Sequence, residues 1–192
     1  MQGRINYSNR IGNKAEIDFT KICERKKYIV HQATKQEDIY EHWDKKVILP
    51  NGKSYKVDVK AIKDNKLDST FLELIGNTGK NGWLLGLADF IAFQQKEGFV
   101  YFKRIDLLKW FYKKVGVGSI DEVRDLYSKL YDKQGNRLNV KVSNSNMFVS
   151  DKKDALYKMY SRKPWGDKAR HDVITLVFIS DMKKDLKHWL LK

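Results

Sequence analysis

Cysteine and proline are nearly missing from this chain, which has one Cys and two Pro among 192 residues. A single thiol excludes a disulfide scaffold and a thiolate metal cluster, and Cys23 reads as a small buried hydrophobe on a helix. With so little proline, no low-complexity tract and no repeat, there is no clear linker, so the chain reads as a single domain over 1–192. No apolar run reaches the ~18–20 residues that a membrane span requires. The opening stretch MQGRINYSNR has no apolar core of the kind a secretory signal needs. The expectation is an intracellular, cytoplasmic protein with no membrane partner. Acidic residues are also scarce, 24 Asp and Glu against 38 Lys and Arg, for a net charge of +14. That excess favours DNA or another nucleic acid as partner. It also makes any place where carboxylates gather informative.

Periodicity supplies a mixed set of elements. In 12–27, Ala15, Phe19, Ile22 and Cys23 recur at helical spacing and mark the first helix. A short strand follows at 28–33, then one or two helical turns at 35–42 with Thr34 as N-cap. Extended runs are expected at 43–49, 53–62, 69–76, 88–95 and 98–104, the last two joined by a turn near Gly98. Helices are expected at 105–114, 119–133 and 181–191, an apolar strand at 172–180, and a polar, basic, irregular stretch over 136–170. The pattern predicts an α/β or α+β fold, a central mixed sheet flanked by helices. Its core would lie in 10–104, with 105–192 as a C-terminal elaboration.

The most informative stretch is the hairpin around Pro50-Asn51-Gly52. Pro, Asn and Gly in that order suit a three-residue loop built on a type I turn and a left-handed glycine. That loop opposes Leu49 to Lys53, which carries Asp44 across from Asp58 and His42 across from Lys60. Alternation sends Val47, Leu49, Val57, Val59 and Ala61 to one face and Asp44, Asp58 and Lys60 to the other. A two-residue loop would slip the register and separate the aspartates. Two opposed carboxylates repel one another. A hard divalent cation such as Mg²⁺ would neutralise them through oxygen ligands; alternatively they form an exposed pair softened by Lys46, Lys56 and Lys60. Glu16 sits at the margin of the buried stripe of the first helix, where it could lean over a neighbouring strand or serve as an ordinary first-turn acid.

Glu16 on a first helix, then Asp44, then Asp58-Val59-Lys60 after a hairpin turn resembles the PD-(D/E)XK nucleases. These are restriction-endonuclease-like phosphodiesterases that include Holliday junction resolvases. The resemblance spans roughly residues 10–95. Trp43 stands where the family has its proline, and Asp58 where glutamate is commoner. The resemblance implies a restriction-endonuclease-like core and a Mg²⁺-dependent DNA endonuclease, with Mn²⁺ able to substitute, acting in recombination, repair or processing and on branched DNA. Asp44, Asp58 and the Val59 carbonyl would hold the metal, helped by Glu16. Lys60 would position the attacking water or stabilise developing charge. A homodimer would present two sites to two strands. The alternatives are an inactive nuclease-fold DNA-binding protein or a subunit of a larger nuclease or transposition complex.

Other signals are plainer. Glu73 could add a ligand, and Gln94 and Gln95 could contact water or DNA; each could equally be a surface side chain. In 157–170, Arg162, Lys163, Lys168 and Arg170 alternate with Tyr157, Tyr160 and Trp165, a composition suited to phosphates and unpaired bases or to a solvated loop.

Overall fold

The apolar stripe of the first segment sits on a helix longer than expected, α1 over Gln2–Arg25. Ala15, Phe19, Ile22 and Cys23 are all buried in one hydrophobic cluster, each of the larger side chains contributing on the order of 1.5–3 kcal/mol. The helix stops where Lys27 turns left-handed, φ 61°. There the Lys27 and Tyr28 amides donate to the Glu24 and Cys23 carbonyls at 2.8 and 3.0 Å, a Schellman motif formed without its customary glycine. This computed structural model describes residues 2–61, 68–130, 142–143, 146–150, 152–162 and 172–192, with backbone alone for 2–9, 142–143, 146–148 and 162.

After α1 come β1 (Ile29–Gln32), α2 (Lys35–Glu41), β2 (Lys45–Ile48), β3 (Ser54–Lys60) and β4 (Ser69–Ile75). They are followed by β5 (Phe90–Gln95), β6 (Gly98–Lys103), α3 (Arg104–Val115) and α4 (Ile120–Ser128). The chain ends with β7 (Val142–Ser143), β8 (Asn146–Ser150), β9 (Met159–Arg162), β10 (Val173–Phe178), α5 (Ile179–Asp185) and β11 (His188–Leu191). The fold is mixed α+β, as expected, but with two sheets rather than one. The first sheet has the order β1-β2-β3-β5-β6-β11 and the second β4-β10-β9-β8-β7.

The chain divides into two compact units, and not at residue 104. One comprises 1–69, 86–107 and 179–192, the other 70–85 and 108–178. The first unit holds the six-stranded sheet. Within it β1, β2 and β3 run antiparallel in sequence, β3 pairs in parallel with β5, and β6 and β11 complete the sheet antiparallel. α1 packs on the face that carries Val47, Val57, Val59, Ala92 and Phe99. In the second unit β8 pairs antiparallel with β7 and β9, and β9 with β10.

Two expectations need correction. The helix expected over 181–191 ends at Asp185, and His188–Leu191 is a strand paired with β6. Trp189 and Leu191 turn toward the core while Leu190 is exposed, a period-2 pattern that four apolar-rich residues hide from a search for helical spacing. The stretch 136–170, expected to be irregular, contains β7, β8 and β9 in its described parts. Among the described side chains there, Val149, Tyr157, Met159, Ser150 and Ser161 are buried, so its strands carry little apolar signal.

Candidate active site

The loop at Pro50-Asn51-Gly52 has the predicted length. The Leu49 amide donates to the Lys53 carbonyl at 2.8 Å and the Gly52 amide to Leu49 at 2.9 Å, with Gly52 at φ 80°, a conformation that suits glycine. The register runs from Ile48–Ser54 to Lys45–Val57, as the loop requires. β2 then ends. The Asp44 amide donates to the Val57 carbonyl at 2.9 Å, and the Asp44 carbonyl accepts from Ala33 at 2.8 Å. In place of a continuing ladder, the Asp44 side chain turns inward and its Oδ2 accepts from the Val59 amide at 2.6 Å.

Residues before Asp44 hold this turn. Thr34 and Glu37 form a capping box that fixes the start of α2, and His42 ends the helix in a left-handed conformation at φ 56°. Trp43 is buried; its Nε1 donates to Glu41 Oε2 at 2.8 Å, the same oxygen that pairs with Lys56 at 2.6 Å. Lys56 also sits 4.9 Å from the centre of the Trp43 ring. Trp43 thus anchors the approach to Asp44 from the position where the resembled family has proline.

On β3, Asp58 is almost fully buried, and its Oδ1 pairs with Lys60 Nζ at 2.7 Å. Its Oδ2 is buried with no hydrogen-bond partner among the described residues. The Asp44 and Asp58 carboxyls lie within hydrogen-bonding reach of each other, so the predicted convergence holds. Burial, and then the Asp58 charge, push Asp44 up to about 7, against the pull of Lys60 and the Val59 amide. Burial also raises Asp58, with Lys60 opposing. A buried carboxylate oxygen without a partner is costly and calls for a proton or a cation. An all-oxygen set built on two carboxylates fits Mg²⁺ or Mn²⁺. Among the described residues, however, no three His, Cys, Asp or Glu side chains converge tightly enough to form a metal cage by themselves.

Glu16 is engaged elsewhere. Its Oε2 pairs with Lys45 Nζ at 3.1 Å and accepts from Gln32 at 3.3 Å, and Lys45 also donates to Gln32 Oε1. Lys45 is buried on the helix-facing side of β2, as the alternation of Lys45, Val47 and Leu49 dictates.

Sequence reading missed Asp38 on α2. Loss of hydration, then the charges of Asp44 and Glu16, raise its carboxyl, while Lys60 and His42 oppose. Asp38 therefore lies in the shared electrostatic field of the predicted residues. The signal for it was the capping box: once Thr34 and Glu37 fix the start of α2, the face that carries Asp38 is fixed as well.

Glu73, Gln94 and Gln95 lie on other strands. Glu73 lies on β4 in the second unit; a side chain on Gly82 would meet its carbonyl oxygen at 2.6 Å. Gln94 and Gln95 end β5, where Gln95 Nε2 donates to the Gln94 carbonyl at 2.7 Å. Lys163, Lys168 and Arg170 lie outside the described residues. The Arg162 backbone pairs with Asn146 in the second sheet, and its side chain is outside them too.

No protein-family model matches the chain, and no curated protein or solved structure matches it. Among the described residues no helix is long and apolar enough to cross a membrane.

Proposed function

We propose that this protein is a Mg²⁺-dependent DNA endonuclease acting inside the cell on DNA in recombination, repair or processing, with branched DNA among its substrates and a homodimer as the active form. One observation carries the reading. Two carboxylates, the buried Asp58 and the half-buried Asp44, converge with an ammonium, Lys60, 2.7 Å from Asp58, and leave a buried oxygen of Asp58 without a hydrogen bond among the described residues. Asp44, Asp58 and the Val59 carbonyl would hold Mg²⁺, which supplies a lowered pKa for bound water and charge stabilisation at the phosphate. Lys60 orients the attacking water and offsets negative charge where it builds on the phosphate oxygens. The Val59 amide fixes the Asp44 carboxylate, so the pair needs little rearrangement to bind a cation. The basic residues Arg162, Lys163, Lys168 and Arg170 would hold the DNA backbone, in keeping with the net charge of +14.

Nicking of supercoiled plasmid and cutting of linear duplex and four-way junctions, each with and without Mg²⁺, tests the reading. Mg²⁺-dependent cleavage lost in Asp58→Ala and Lys60→Ala is expected.

A second reading draws on Glu16. Its carboxylate is bound by Lys45 and Gln32 and, among the described residues, no third acid closes on the pair to form a metal cage, an arrangement that favours an inactive nuclease-fold DNA-binding protein or a subunit completed by a partner. DNA binding without cleavage of any of the three substrates, with or without Mg²⁺, would select it.

A further inference from the structure

On the helix-facing side of the six-stranded sheet a cavity of about 410 Å³ opens beside the last turns of α1. Strand alternation puts it on the side of Val57, opposite to the Asp58 side chain. Tyr28, Tyr55, Phe90, Tyr101 and Trp189 supply its walls, with Lys103 among the lining residues and no acid. The size lies within the ~300–1,000 Å³ range of small-molecule sites.

The walls have two orientations. Tyr101 and Trp189, cross-strand partners on β6 and β11, lie nearly parallel, 18° apart at 5.9 Å. Phe90 stands edge-on to both, at 85° and 89°, and Tyr55 edge-on to Phe90. A flat ring entering here meets both faces and edges of aromatic side chains, the two favourable geometries.

The polar groups complete the chemistry. The hydroxyls of Tyr28, Tyr55 and Tyr101 have no hydrogen-bond partner among the described residues, so all three are available as donors or acceptors. Burial, with Tyr28, Cys23 and Tyr55 nearby, raises Tyr101 and keeps its proton in place. Burial pushes the Cys23 thiol up to about 12, which removes it as a nucleophile and leaves binding as the function of the cavity. Lys103 is exposed, and Lys187 Nζ lies 5.4 Å from the Trp189 ring centre. Flat aromatic surface, partnerless phenols, local cations and no acid describe one ligand class.

We propose that this cavity binds a nucleobase that carries a phosphate, delivered as a free mononucleotide or as an unpaired nucleotide of a DNA strand. None of its residues belongs to the Asp44–Asp58 site, so the proposal stands without the nuclease reading.

The test uses the isotope-labelled full chain without divalent metal. It is titrated with AMP, GMP, CMP and TMP, and with DNA hairpins containing one extrahelical base or none. Nuclear magnetic resonance follows the Trp189 indole N–H, and calorimetry gives the affinity. Saturable binding that shifts Trp189 is expected, weakened about tenfold or more by the double variant Tyr55→Phe/Tyr101→Phe, which deletes two hydroxyls and keeps both rings. Mononucleotides that bind while the two hairpins behave alike identify the free nucleotide as the source. Tighter binding of the hairpin with the extrahelical base identifies the strand. No saturable shift with any of these, or a folded double variant that binds like the wild type, overturns the proposal. Should the double variant fail to fold, Lys103→Ala decides on an exposed side chain: weaker nucleotide binding supports the site, and unchanged affinity sinks it.

Discussion

Lys60 Nζ stands 2.7 Å from Asp58 Oδ1, while the other oxygen of the same buried carboxylate has no hydrogen bond among the described residues. One half of Asp58 is satisfied from within the chain; the other half calls for a proton or a cation. A single strand thus carries a cation and an anion two residues apart, and the neighbouring strand end adds Asp44. The consequences can be measured.

If Lys60 serves the chemistry rather than only neutralising Asp58, Lys60→Ala and Asp58→Ala should each lower Mg²⁺-dependent DNA cleavage by roughly 10²–10³-fold or more. DNA binding should stay within a few-fold of wild type in a filter or anisotropy assay. Cleavage retained by both purified, folded variants would remove these residues from the reaction.

The pH dependence of stability has a definite sign. The Asp44 carboxyl sits at about 7 in the folded protein, against about 4 for an unperturbed aspartate. Between those values the folded state holds a proton that the unfolded state has released, so stability falls as pH rises through the window. Melting temperatures without metal should therefore drop from about pH 5 to about pH 8, and Mg²⁺ should recover part of the loss by occupying the place of the proton. Asp44→Asn, whose amide oxygen can still accept from Val59, should flatten the pH dependence. It should also stabilise the metal-free protein near pH 8 by ~1–3 kcal/mol. A melting curve set that rises over this range contradicts the assignment.

Lys45 and Glu16 form a pair in which the lysine side chain is only 8% exposed and the glutamate 22%. Removing Lys45 alone should cost about 1–3 kcal/mol, because a half-buried carboxylate loses its partner. The double variant Lys45→Met/Glu16→Gln should recover part of that loss in chemical denaturation. If instead Glu16→Gln has no effect on stability yet abolishes cleavage, Glu16 leaves its structural pair to act at the site.

Lys27 holds a left-handed position at the end of α1. Lys27→Gly should stabilise the protein by about 0.5–1 kcal/mol. Gly98→Ala should do the reverse, and more strongly: φ there is 101°, and an added Cβ would lie 2.0 Å from the Leu191 carbonyl oxygen. A cost of at least ~1–3 kcal/mol is expected from the backbone conformation alone.

What the sequence made legible was local. The Thr34 N-cap, the stripe of Ala15, Phe19, Ile22 and Cys23, and the Pro50-Asn51-Gly52 loop are each written in a few adjacent residues, and each appears in the structure where it was expected. The loop fixed the hairpin register, and the register brought Asp44 and Asp58 together. What stayed hidden depends on long-range pairing. Nothing near Ser69–Ile75 indicates that this strand joins β10 in a second sheet, and nothing near Trp189 indicates that β6 supplies a free edge. The ion pair of Glu16 was hidden for a different reason: its partner, Lys45, lies on the face that alternation assigns to apolar side chains. Asp38 reaches the site through space, from a helix whose own sequence shows only its cap.

The most direct measurement is the anomalous diffraction of crystals soaked in Mn²⁺. A peak at coordination distance from carboxylate oxygens of both Asp44 and Asp58, lost in Asp58→Asn crystals, is the result expected. Full Mn²⁺ exposure with no peak between the two side chains, in crystals whose packing leaves them open to solvent, would contradict the metal site and with it the nuclease.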